Sequence, residues 1–384
     1  MPKPSSYTCS FSTANTARAR KTISMAATAI SANDKPYDRL KDMKAFDESK
    51  AGVKGLVDSG ITSIPPFFIH PPDSLSTIVP TSSNPNIIPT IDLSGVDSDK
   101  RPVLVQQVAH ACRELGFFQI VNHGIPLKVM ENMIGAVKSF HEQPTEIKSR
   151  IYSRDLNRSV HFSSNIDLFY CKAATWRDTL HVMPSLSNFE PEEIPEICRN
   201  EVEEWDKEVK QVGEVLMELL CEGLGLEKGK LKKMMFLEGR TMLCHYSPYC
   251  PQPDLTFGAV SHTDAAVLTI LLQGHVGGLQ MKHNGEWVDV KPVPGALLIN
   301  VGDILQVLSN DEYKNVEHRV LANSYHEPRA SVVTFFNASN IDDLYGPFEE
   351  LVSTEKPALY QAFSLSDSKK RFVVGEPLNN HYRL

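Results

Sequence analysis

Three stretches in the first half of the chain place apolar residues at helical spacing. Over 98–115 these are Leu104, Val105, Val108, Ala111, Cys112 and Leu115. Over 127–141 they are Val129, Met130, Met133, Ile134, Val137 and Phe140. Over 201–222 they are Val202, Trp205, Val209, Val212, Leu216, Leu219 and Leu220, and the pattern stops at Gly223. Each predicts an amphipathic helix. Between the first two, Gly116–Gly124 reads as a short buried strand followed by a turn. From about residue 239 the apolar runs shorten. Thr241–Tyr246, Val267–Leu272, Gly278–Lys282, Trp287–Val290, Ala296–Val301, His318–Ala322 and Ser331–Phe336 alternate with turn residues such as Asn284-Gly285 and Pro294-Gly295. Strands at this spacing predict a sandwich, jelly roll or barrel. The pattern as a whole predicts an α+β protein with a mainly β core, its front half helical and wrapped on the back half. Residues 60–90 and 184–196 are proline-rich and predict loops.

At 384 residues, with 41% hydrophobic and 22% charged positions, the chain can bury a sizeable core without disulfides or a structural metal. A net charge of −8 argues against a general nucleic-acid binder. The sequence holds no run of about 18 apolar residues, so no membrane span is expected. Seven cysteines without a Cys-x-x-Cys pair point to free thiols in a reducing compartment. Before Asp34 there is no acid, and Lys3, Arg18, Arg20 and Lys21 lie among Ser, Thr and Ala. Residues 1–30 thus carry the composition of an organelle transit peptide, a disordered extension, or sequence upstream of a working start at Met25. The expectation is a cytoplasmic monomer with residues 1–36 as an extension.

The chemistry concentrates in Ser261-His262-Thr263-Asp264. On a strand, residues two apart face the same way, so His262 and Asp264 would aim at one point. His318 opens another predicted strand 54 residues after Asp264. Two imidazoles and one carboxylate make a facial triad, which leaves coordination positions open and suits non-haem Fe(II). The His-x-Asp run alone recurs by chance in many chains. Arg329 and Ser331, two apart on the following strand, strengthen the reading. A guanidinium fork with a neighbouring hydroxyl would clamp the far carboxylate of a dicarboxylic co-substrate. By the same alternation Phe335 and Asn337 share that face and are candidate pocket residues, as barrel core is the competing role for Phe335. His123, in an Asn-His-Gly turn, is read as structural, and His275 and His283 as solvated.

Ten motifs in sequence order resemble the plant 2-oxoglutarate- and Fe(II)-dependent dioxygenases: GFFQIVNHGIP (Gly116–Pro126), His262-Thr263-Asp264, LTILLQ (Leu268–Gln273), GGLQ (Gly277–Gln280), Trp287–Val290, Pro294–Ala296, NVGD (Asn300–Asp303), Asn310-Asp311, VEHR (Val316–Arg319) and Arg329–Ser331. Ala45–Leu56, Tyr152–Asp155 and Trp176–Asp178 resemble the branch of 1-aminocyclopropane-1-carboxylate-oxidase-like homologues, deacetoxyvindoline 4-hydroxylase-type enzymes and benzoxazinoid dioxygenases. The resemblance implies a double-stranded β-helix (a cupin-like jelly roll) with His262, Asp264 and His318 as iron ligands and Arg329 with Ser331 on 2-oxoglutarate. It implies hydroxylation, or a related C–H oxidation, of a specialised plant metabolite, with O2 consumed, succinate and CO2 released, and ascorbate as reductant. Where relatives carry a second tyrosine that helps hold 2-oxoglutarate, this chain has Ser247, which shares a strand face with Leu243 and His245. Ser247 is therefore a co-substrate candidate and Leu243 a substrate-pocket candidate. The expected divisions are a non-haem dioxygenase N-terminal region over 37–235, the oxygenase core over 236–345, and a lid or tail over 346–384 whose closing helix looks short. Two other functions share these features: ascorbate-dependent oxidation of 1-aminocyclopropane-1-carboxylate, and a non-catalytic ligand-binding barrel.

Overall fold

The computed structural model describes residues 37–76, 78, 87–187, 189–366 and 381–384. The expected extension over 1–36 and residues 367–380 of the expected tail lie outside these residues. The helices are α1 (Arg39–Ser49), α2 (Gly52–Asp58), α3 (Pro72–Leu75), α4 (Arg101–Glu114), α5 (Leu127–His141), α6 (Thr145–Lys148), α7 (Arg199–Gly223), α8 (Lys230–Lys233) and α9 (Asp303–Leu308). The strands are β1 (Thr90–Asp92), β2 (Phe117–Val121), β3 (Val160–Ser164), β4 (Asp178–Val182), β5 (Gly239–Ser247), β6 (Phe257–His262), β7 (Leu268–Gln273), β8 (Leu279–His283), β9 (Glu286–Asp289), β10 (Leu297–Val301), β11 (His318–Leu321), β12 (Arg329–Asn337), β13 (Leu344–Tyr345) and β14 (Phe363–Ser364).

An eight-stranded sheet runs β1-β2-β10-β7-β12-β5-β4-β3, and a four-stranded sheet runs β6-β11-β8-β9. All pairings are antiparallel except β1 with β2. Side-chain alternation sorts the large sheet into two faces. Phe118, Ile120, Ile270, Leu272, Leu297, Ile299, Val332 and Phe336 join α4, α5 and α7 in one core. Phe117, Leu271 and Leu298, their neighbours in sequence, join Leu279 and Met281 of the small sheet in another. The large sheet is thus sandwiched between a helical layer and the small sheet. Trp205 of α7 fixes the outer face by donating its ring N–H to Thr334 Oγ1 of β12 at 3.2 Å.

The three helices and seven runs read from periodicity are present within a few residues of their expected ends. The front half is less helical than expected, since β1, β3 and β4 join the large sheet besides the expected β2. β3 and β4 each offer only two apolar residues, Val160 with Phe162 and Leu180 with Val182, alternating with the buried polar His161, Ser163, Thr179 and His181, a pattern too short to stand out. A second correction concerns Asp264. β6 ends at His262, so Asp264 lies in the following loop and not on the strand. That loop crosses toward the large sheet, and the Asp264 carbonyl accepts from the N–H of Asp303, the first residue of α9, at 2.8 Å.

Candidate active site

β6 and β11 are adjacent, and their register sets His262 directly opposite His318. The two rings lie 4.3 Å apart between centroids. Each ring has its Nδ1 against a main-chain carbonyl: His262 on Val260 at 2.8 Å and His318 on Val316 at 3.1 Å. With Nδ1–H donating there, the Nε2 lone pair of each is turned to the same space. Asp264 Oδ1 lies 3.6 Å from His262 Nε2 and 3.5 Å from His318 Nε2. Its other oxygen, Oδ2, accepts from Thr269 Oγ1 at 2.7 Å and from Asn300 Nδ2 at 2.5 Å. Thr269 belongs to β7 and Asn300 to β10, so the large sheet orients a carboxylate that serves the small sheet's histidines. Among the described residues, His262, Asp264 and His318 form the one group of three metal-ligand side chains, their ligand atoms within 4.8 Å of one another. Burial opposes the Asp264 charge, but the protonated form of His318, then His262 and the Thr269 hydroxyl, hold its carboxyl well below the usual range, and Asp264 in turn raises the His318 pKa. Two neutral nitrogen donors and one carboxylate with a free oxygen fit an Fe(II) ion that keeps open positions.

Across the cavity, β12 presents Arg329 and Ser331. Arg329 Nη1 donates to Ser331 Oγ at 3.0 Å, Nε to the Gly277 carbonyl at 3.0 Å, and Nη2 to Gln273 Oε1 at 3.2 Å. No carboxylate is among these partners, although the side chain is buried. Burial and the nearby Arg177 charge lower its pKa to about 10, so it stays a cation at neutral pH. Ser247 stands opposite Arg329 on β5, with a buried hydroxyl that has no hydrogen-bond partner among the described residues. An unmatched guanidinium beside an unmatched hydroxyl fits the carboxylate of a dicarboxylic co-substrate. Phe335 pairs with Thr269, the residue that holds Asp264, and is half-buried. Leu243 pairs with Val333 and His181, and Asn337 Oδ1 is buried without a partner among the described residues.

The family comparison matches the same residues. A model of the 2OG-Fe(II) oxygenase superfamily covers 238–338, and one of the non-haem dioxygenase N-terminal region, described for morphine synthesis, covers 88–207. The chain is 48% identical to 1-aminocyclopropane-1-carboxylate oxidase homolog 1 of Arabidopsis thaliana, over 87% of this chain and 92% of that one. It belongs to the 2-oxoglutarate- and Fe(II)-dependent oxygenase superfamily. Deacetoxyvindoline 4-hydroxylase of Catharanthus roseus is 44% identical over 86% of this oxygenase and 84% of its own length. A crystal structure of JOX2 in complex with 2OG, Fe and JA superposes with a TM-score of 0.75 at 30% identity, covering 87% of this chain and 97% of that one. A dioxygenase for auxin oxidation in rice shares the fold, with a TM-score of 0.66. The oxygenase is accordingly a 2-oxoglutarate-dependent dioxygenase with a jelly-roll core, acting on a small molecule with O2. Its cofactor is Fe(II), its co-substrate 2-oxoglutarate, and ascorbate is the reductant typical of the family.

Several site features carried no individual signal in the sequence. Asn300 and Thr269 lie inside motifs, but nothing in a motif says that they bond Asp264. The inner faces of β3, β4 and β5 add a buried polar wall. His161 and His181 stack at 4.2 Å, His181 Nε2 meets Ser163 Oγ at 3.1 Å, and His245 Nδ1 meets Thr179 Oγ1 at 3.0 Å. Burial first, then neighbouring positive groups, push His181 and His245 well below the ordinary histidine range, so both are neutral. His123 is structural as expected, with its ring bonded to the Gly295 carbonyl and the Ile125 N–H. Tyr246 faces the helices, stacked on His141.

Proposed function

We propose that His262, Asp264 and His318 hold the iron, that Arg329, Ser331 and Ser247 receive the far carboxylate of 2-oxoglutarate, and that the organic substrate lies against Leu243, Phe335 and Asn337. The observation that carries this reading is the convergence of two free Nε2 atoms and a free Asp264 oxygen on one space. Bound iron and 2-oxoglutarate supply the oxygen activation that oxidises a C–H bond, with succinate and CO2 released. The chain's own residues supply position. Thr269 and Asn300 keep one Asp264 oxygen engaged so that the other stays available. Gly277 and Gln273 fix the plane of the Arg329 guanidinium before the co-substrate arrives, which reduces the ordering cost of binding.

The substrate class we infer is a specialised plant metabolite, and the reaction a hydroxylation of it. A hydroxylase of deacetoxyvindoline among the relatives supports this reading. We further infer a monomer that acts in the cytoplasm, binds neither nucleic acid nor membrane, and divides into an N-terminal region over 37–235, the core over 236–345, and a lid or tail. The net charge of −8 supports the first exclusion. Among the described residues no helix is long and apolar enough to cross a membrane. The test is to incubate the iron-loaded enzyme with 2-oxoglutarate and a leaf metabolite extract. Succinate should rise with the extract, and one metabolite should be converted to a product heavier by one oxygen atom. Oxidation of 1-aminocyclopropane-1-carboxylate to ethylene without consumption of 2-oxoglutarate would contradict the reading.

A further inference from the structure

Arg177 is a cation that the known chemistry of the cavity leaves unmatched. It immediately precedes β4, and the residue after it settles its direction. Asp178 turns toward α2, where its carboxylate accepts from the N–H groups of Val53 and Lys54 at 2.8 and 2.9 Å. Gly52 permits this approach: its φ is +69°, and a Cβ there would stand 2.5 Å from the Asp178 carboxylate. With Asp178 facing out, alternation turns Arg177 inward, on the face of Thr179 and His181. Extending the β4–β5 register by one residue places Arg177 opposite Ser247, which is itself opposite Arg329. Arg177 and Arg329 then lie two strand spacings apart, about 10 Å, on one wall of the cavity.

The Arg177 side chain is half-buried and makes no hydrogen bond or ion pair with any described residue. Asp167 is the acid whose charge bears on it, and that residue is exposed. The positive charge of Arg177 reaches His262, His245 and Arg329, so it belongs to the catalytic cavity. The charges of the loaded site are otherwise balanced. Fe(II) and Arg329 are offset by Asp264 and the two carboxylates of 2-oxoglutarate, while the wall histidines are neutral. A half-buried guanidinium without a counter-charge is costly, and a planar fork suits a carboxylate.

We propose that Arg177 binds a carboxylate of the organic substrate, so that this oxygenase selects organic acids. The inference rests on the metabolite-oxidising function proposed above. The experiment divides a methanolic leaf extract by ion exchange into acidic, neutral and basic pools and adds each to the iron-loaded enzyme with 2-oxoglutarate. The acidic pool alone should stimulate succinate release, and methyl esterification of that pool should abolish the stimulation. In Arg177→Gln the half-saturating concentration of the acidic pool should rise at least about tenfold, the scale of a lost charge-assisted pair. Arg177→Lys should recover part of that loss. The dissociation constant of 2-oxoglutarate, read anaerobically from its charge-transfer absorption with Fe(II), should stay within about twofold in both variants. Stimulation by the neutral or basic pool, or by the esterified acids, overturns the proposal even if the variants do not fold. A tenfold loss of 2-oxoglutarate affinity in Arg177→Gln, with the acidic pool unaffected, overturns it by assigning Arg177 to the co-substrate. Succinate release that no pool stimulates contradicts the metabolite reading, and this inference with it.

Discussion

Asp264 works because its two oxygens have different tasks, one engaged by Thr269 and Asn300 and one left free. Removing a hydrogen-bond partner of a metal ligand typically costs about 10- to 100-fold in metal affinity. Asn300→Ala should therefore weaken Fe(II) binding by roughly that factor, measured by metal titration, while 2-oxoglutarate binding at saturating iron changes little. An unchanged iron affinity would mean that Thr269 alone orients the carboxylate. The clamp predicts the reverse split. Arg329→Leu should raise the KM for 2-oxoglutarate about 10- to 100-fold, from a charge-assisted pair worth about 1.5–3 kcal/mol, with iron uptake preserved. Ser247→Ala should raise the same KM by several-fold without lowering the melting temperature, because its buried hydroxyl has no partner among the described residues to lose. A stability loss without a change in KM would make Ser247 structural. The residue types and their order were legible in the sequence for His262, Asp264, His318, Arg329 and Ser331. The partners Thr269 and Asn300 were not, since they reach Asp264 only after β7 and β10 are placed beside the loop.

At the scale of elements, helical periodicity identified α4, α5 and α7 because each buries one apolar stripe on the large sheet. It missed β3 and β4 for a physical reason. Both alternate, with Val160, Phe162, Leu180 and Val182 on the apolar face and His161, Ser163, Thr179 and His181 on the polar one, but two apolar residues in each make too short a signal to separate strand from loop. The expected strand position of Asp264 failed in a related way: two-residue spacing is satisfied equally by a loop that carries the carboxylate from one sheet to the other. Gly302 shows how tightly that loop is held. A Cβ at this position would lie 1.9 Å from the Ala266 carbonyl oxygen and 3.0 Å from that of Asp264. Gly302→Ala should push the loop away from α9, costing about 1–3 kcal/mol as overpacking. Iron affinity should fall together with the melting temperature. A variant that loses stability but binds iron normally would show that the loop and the site are uncoupled.

For the whole molecule, one large sheet carries the site and the helical layer together, and it draws strands from both the front and back halves of the chain. The core over 236–345 therefore should not fold alone, since β5 and β10 would lose their neighbours β4 and β2. Circular dichroism of the isolated segment should show no cooperative unfolding. Composition argues against a general nucleic-acid binder, but it is silent on the cavity wall, where Arg177 lies beside the neutral histidines. A carboxyl-terminal fluorescent fusion should give diffuse cytoplasmic signal, and plastid import with removal of a segment ending near residue 30 would contradict that placement.

The most direct test of the account is an anaerobic titration of the protein with Fe(II) and 2-oxoglutarate, followed by visible absorption. A metal-to-ligand charge-transfer band should grow and saturate at one iron and one 2-oxoglutarate per chain. It should be absent in Asp264→Ala, and in Arg329→Leu it should need about 10- to 100-fold more 2-oxoglutarate. A band of full intensity in Asp264→Ala, or none in the native protein, would contradict the assignment of the metal site.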